Sequence, residues 1–109
     1  MELLAPDLIW AEVGNALWRK WRVGELDARA VTGILNDFRR FPLQIHRADL
    51  LYDAAWEVAQ SASRTFYDSL YLATAVVAGC PLVSADQRFY HALRKSPWDQ
   101  FCLWVEDVP

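Results

Sequence analysis

An α/β domain with a mostly parallel sheet is the fold class this sequence predicts, and three observations point to it. Short apolar runs that suit strands alternate with longer segments of helical periodicity. Capping residues stand at several of the junctions. The 109-residue length suits one domain with a single modest core, so residues 1–109 are expected to form one unit.

Taken in order, LLAPD opens as a short strand, and Pro6 and Asp7 suit a helix start. The first helix should run from Leu8 to about Val23 and stop at Gly24. At about 100° per residue, Trp10, Val13, Leu17 and Trp21 share one face with Trp18 at its edge. That face is expected to be core. Glu12 projects from roughly the opposite side, and Asn15 lies near it. Asp27 can cap a second helix through Val31, Ile34, Leu35 and Phe38, which Pro42 ends. LQIH reads as a strand, and Asp49 can cap a third helix through Leu51, Ala55, Val58 and Ala59. A fourth helix from Phe66 to Ala78 is apolar nearly throughout, followed by a turn at AGCP and a buried strand at Leu82 to Ser84. Gln87 to Lys95 is expected to be helical, and FCLWV forms a last strand.

The composition narrows the function classes. A formal charge of −3 and a pI near 5.2 give no overall attraction to nucleic acid, so any such binding needs a local basic surface or bound cations. Six tryptophans and five phenylalanines call for a large buried or partner-covered aromatic area. Cys80 and Cys102 have no Cys or His at metal-ligand spacing and read as reduced, buried thiols, which fits a cytoplasmic setting. MELLAPD lacks the marks of a signal peptide, and no apolar run is long enough for a membrane span. His46 and His91 have no Ser or Cys nucleophile motif beside them, and the four glycines form no phosphate-binding loop.

Three acids stand out by environment. Asp68 interrupts the apolar fourth helix, Asp86 follows the strand PLVSA, and Glu12 sits on the first helix. In open parallel sheets, sites form at the carboxyl ends of strands, where Asp86 falls. Each acid also has an ordinary role. Glu12 can be a solvated helix acid, Asp68 a charge favoured by a helix N-terminus, and Asp86 the cap of the helix beginning at Gln87.

The segments PDLIWAEVGNALWRK, TFYDSLYLATA and PLVSAD resemble, in order, signature segments of the PIN-domain nucleases, and more closely those of the VapC toxins of toxin–antitoxin pairs. The resemblance runs from about Leu3 to Val105. It implies a metal-dependent endoribonuclease in which Glu12, Asp68 and Asp86 serve as catalytic acids and ligands of Mg²⁺ or Mn²⁺. Hard oxygen donors suit such ions, and crowded carboxylates need a cation among them. Asn15 and Ser84 match polar positions of the family and carry over as water or substrate contacts. Arg64 and Arg88, with Arg19 and Arg22, could add phosphate contacts. The implied partners are an RNA substrate, an antitoxin whose segment lies across helices, and a second copy of the chain, with the Trp-rich first helix contributing to the dimer. The family's central first strand carries another Asp and has no counterpart before Leu3, so the domain is expected to be incomplete at its N-terminus. Its strands should then fall into two pairs. That gap motivates the alternative of an inactive PIN-like module that holds an antitoxin or partner chain.

Overall fold

The computed structural model describes residues 3–80, 82–84, 87–94, 96, 100 and 102–104. Its elements are strand β1 (Leu3–Pro6), helix α1 (Leu8–Arg22), helix α2 (Ala28–Arg39), strand β2 (Leu43–His46), a 3₁₀ turn (Ala48–Leu51), helix α3 (Tyr52–Ala62), helix α4 (Phe66–Ala78), strand β3 (Leu82–Ser84), helix α5 (Gln87–Arg94) and strand β4 (Cys102–Trp104). The described strands pair two by two, β1 with β2 and β3 with β4. The chain divides into two compact units, Met1–Ile45 and His46–Pro109.

In the first unit α1 packs on β1 and on α2. The start of α1 differs from expectation in one detail, since Asp7 occupies the cap position with helical dihedrals and makes no side-chain cap bond. Its end matches the sequence. Arg19, Lys20 and Arg22 lie in the last turn, where the helix dipole favours cations. Gly24 then takes φ +83, a left-handed conformation that costs glycine nothing. Asp27 caps α2 as anticipated, its Oδ1 accepting from the Ala30 amide at 2.7 Å. Trp10 meets Phe38 edge to face at 5.2 Å, and Phe38 stacks on Phe41 at 6.4 Å.

The tryptophan face of α1 is not the core element the periodicity suggests. Leu17 is its one buried residue, and Trp10, Trp18 and Trp21 are exposed. The reason lies in the partner helix: α2 is 12 residues long, contributes no buried side chain, and leaves Ile34 and Leu35 exposed as well. Instead of interdigitating fully, Trp18, Trp21, Gly14, Ala28, Val31, Thr32 and Leu35 line an open apolar groove of about 320 Å³. The Arg22 guanidinium lies 5.6 Å from the Trp18 ring centroid.

The second unit is organised by α3 against α4. The buried residues of α3 are Ala55, Val58 and Ala62, and those of α4 include Ser69, Leu72 and Ala73. The small side chains among them, Ala55, Ala62, Ser69 and Ala73, let the two helix backbones approach closely. Ser69 and Thr74 are buried polar residues, and each donates its hydroxyl to a carbonyl four residues back, Thr65 at 2.7 Å and Leu70 at 2.9 Å. Val58, Ala62 and Leu72 join Leu93 of α5 in a cluster, with Val76, Leu82 and Tyr90 packed around it. Strands β3 and β4 run parallel in the register Leu82 to Cys102, Val83 to Leu103 and Ser84 to Trp104. With α5 between them, they make the strand–helix–strand crossover that a parallel pair requires.

Asp49 does not cap the third helix. It lies inside the 3₁₀ turn, where Arg47 holds both of its carboxylate oxygens, at 3.0 and 2.7 Å. The bidentate guanidinium outcompetes the backbone for that carboxylate, and α3 starts after Leu51 with no side-chain cap. At the other end of α4, Gly79 at φ +69 closes the helix, and the Cys80 amide returns to the Ala75 carbonyl at 3.0 Å. Cys80 is a free, half-buried thiol, whereas the side chain of Cys102 lies outside the described residues. Among the described residues, no helix is long and apolar enough to cross a membrane.

Leu72 is fully buried in that cluster. Leu72→Ala should therefore cost about 2–5 kcal/mol, read as a lower urea midpoint with an unchanged slope.

Candidate metal centre

Asp68 is the third residue of α4, and the chain leading to it is tightly specified. Ser63 ends α3 in the left-handed region at φ 52, an uncommon conformation for a residue other than glycine. It permits a three-residue connection from Ala62 to Phe66. Thr65 then caps α4, its Oγ1 accepting from the Asp68 amide at 3.1 Å, while its carbonyl accepts from the Ser69 amide and hydroxyl. The threonine was not among the residues singled out from the sequence, yet the spacing Thr65-x-x-Asp68 carries the signal of a capping box.

Asp68 is half-buried, in the first turn of α4, where the helix dipole stabilises negative charge. Its Oδ2 accepts from Arg64 Nη2 at 3.1 Å. Its Oδ1 accepts no hydrogen bond from any described residue. Arg64, anticipated as a phosphate contact, is thus engaged with Asp68, with only 21% of its side chain exposed.

The remaining candidates lie apart from this pair in the chain. Glu12 and Asn15 are one helical turn apart on α1, and both are exposed. Ser84 is the last residue of β3, at the carboxyl end of a parallel strand. Arg88 is the second residue of α5 and is exposed. Asp86 lies outside the described residues. Among the described residues, no three His, Cys, Asp or Glu side chains converge on one point.

The chemistry of the Asp68 side chain suits a hard divalent cation, since it offers one carboxylate oxygen with the other fixed by a guanidinium. Mg²⁺ and Mn²⁺ take oxygen donors of this kind and keep several waters. Neither softer sulfur ligands nor histidine are needed for such a site.

A PIN-domain family model matches residues 2–95, so this chain belongs to the PIN-domain family. Ribonuclease VapC3 of Mycobacterium tuberculosis is 34% identical to it over 88 residues, which are 81% of this chain and 63% of that protein. Ribonuclease VapC1 of the same organism is 35% identical over 89 residues, 77% of this chain and 62% of its own length. The chain therefore spans less than two thirds of the length of these curated relatives. The crystal structure of PAE2754 from Pyrobaculum aerophilum superimposes with a TM-score of 0.68 at 26% identity, covering 95% of this chain and 71% of that one.

Since the Thr65 hydroxyl satisfies an amide at the start of α4, Thr65→Ala should lower stability by about 1 kcal/mol in chemical denaturation. Thr65→Ser, which keeps the oxygen, should restore most of it.

Proposed function

We propose that the chain is a VapC-like, metal-dependent endoribonuclease that hydrolyses RNA phosphodiester bonds in the cytoplasm and is neutralised by an antitoxin. Membership of the PIN-domain family across residues 2–95 carries this reading, and the ribonuclease names of its relatives support it. Glu12, Asp68 and Asp86 would hold Mg²⁺ or Mn²⁺. Bound there, such an ion supplies the means to make water nucleophilic near neutral pH and to offset charge on the scissile phosphate.

The chain's own residues do the rest. The first-turn position of Asp68 and its contact with Arg64 fix where one carboxylate oxygen is presented. Asn15 and Ser84 contribute polar contacts to water or substrate. Arg88, exposed on α5, would meet backbone phosphate, which an acidic protein must bind through local positive charge. Antitoxin binding would oppose this by presenting a basic side chain to the acidic site.

The decisive test is RNA cleavage by the purified chain in Mg²⁺ or Mn²⁺, beside EDTA and Asp68→Asn controls. Cleavage should appear only with metal, and Asp68→Asn should fall to the EDTA background. A chain that is folded by circular dichroism yet cuts no RNA under any of these conditions would overturn the enzymatic reading.

A homodimer is part of the same proposal. Trp18 and Trp21 keep 47% and 49% of their surface exposed beside the α1–α2 groove, an apolar surface that a second copy would cover. In sedimentation velocity, Trp18→Ser combined with Trp21→Ser should shift the protein from dimer to monomer at micromolar concentration. An unchanged dimer would place the interface elsewhere.

A further inference from the structure

We infer that Arg64 is the resident counter-ion of Asp68, held in competition with a divalent cation, and that it sets the cation concentration at which the site fills. This rests on Asp68 being a metal ligand, as proposed above.

Three ion pairs are recorded among the described residues, and this one differs from the others. Lys20–Glu25 and Arg47–Asp49 have more than half of every side chain in solvent, at 55% and 60% and at 69% and 53%. Such pairs are strongly screened and contribute little. Arg64 and Asp68 are 21% and 36% exposed, so the field between them is screened less. The backbone at both ends is fixed as well. Arg64 stands between the left-handed Ser63 and the capping Thr65, and Asp68 donates its amide to that cap. The guanidinium is therefore directed at the carboxylate by the turn itself.

A cation approaching Asp68 meets two opposed effects. Arg64 restrains the carboxylate and so reduces the ordering a ligand must impose. It also withdraws one oxygen and places a full positive charge beside the incoming ion. For a divalent ion the Coulomb repulsion is twice that for a monovalent one, and the restraint concerns a single short side chain. Repulsion is the larger effect, so the pair should weaken metal binding. A guanidinium that served only to pin the turn between α3 and α4 would leave metal affinity unchanged and act on stability alone.

Mn²⁺ affinity by titration calorimetry, beside thermal stability, separates these roles for the wild type, Arg64→Gln, Arg64→Lys and Asp68→Asn. Arg64→Gln should bind Mn²⁺ roughly three- to tenfold more tightly than wild type, because a neighbouring positive charge is gone. Arg64→Lys, which keeps the charge, should stay within about twofold of wild type. Asp68→Asn should lose binding. On the wild type itself, the Arg64 Nε–Hε resonance should move with Mg²⁺ along the binding curve, a readout that stands even if Arg64→Gln fails to fold. Unchanged or weaker binding by folded Arg64→Gln, or an Arg64 resonance that ignores Mg²⁺ while Mg²⁺ binds, overturns the inference and leaves the metal site intact. Wild-type protein that binds no Mn²⁺, or binds it equally well as Asp68→Asn, overturns the metal site and the inference with it.

Discussion

The close packing of α3 on α4 is the constraint from which the candidate centre follows. Ala55, Ala62, Ser69 and Ala73 are small and buried, which lets two helix backbones meet with little between them. Burying Ser69 and Thr74 costs little, because each hydroxyl finds a carbonyl on its own helix. Two helices held this closely and joined by three residues require a sharp reversal, and Ser63 supplies it in a conformation few side chains adopt. Given that reversal, Thr65 falls at the cap and Asp68 one turn into α4. A change in the α3–α4 spacing would move the carboxylate.

Asp68, the proposed ligand, is also accommodated by the structure around it. In the first turn of α4, Asp68 has a favourable place in the helix dipole, and Arg64 balances its charge. A carboxylate provided for in this way can persist in a largely apolar helix without a bound cation. An uncompensated charge at that position would destabilise the fold.

The aromatic surface of the first unit reflects a different balance. Trp10, Trp18 and Trp21, the three tryptophans of this unit, all stay exposed on its short helices. α2 carries apolar residues at regular spacing yet buries none of them fully, and Trp18 and Trp21 stay half in solvent beside it. Edge-to-face contacts such as Trp10 with Phe38 recover part of the apolar area, and the remainder forms an open groove.

Much of this was legible from residue spacing alone. The positions of α1, α2, α4 and α5, the Asp27 cap, the left-handed Gly24 and Gly79, and the strand at Leu82–Ser84 all follow from local rules, because periodicity, caps and glycine act within a few residues. The family followed from the order of three short segments, later matched across residues 2–95. Where a local rule had two claimants, the sequence could not choose. Asp49 went to Arg47 rather than to a helix end, Ser63 took a conformation usual for glycine, and the tryptophan stripe found too small a partner to bury it. The sequence by itself thus determined the elements and the acids they carry. Only the tertiary structure decided which charge meets Asp68 and which of its oxygens that charge holds, since the turn that brings Arg64 to it is set by the approach of α3 to α4.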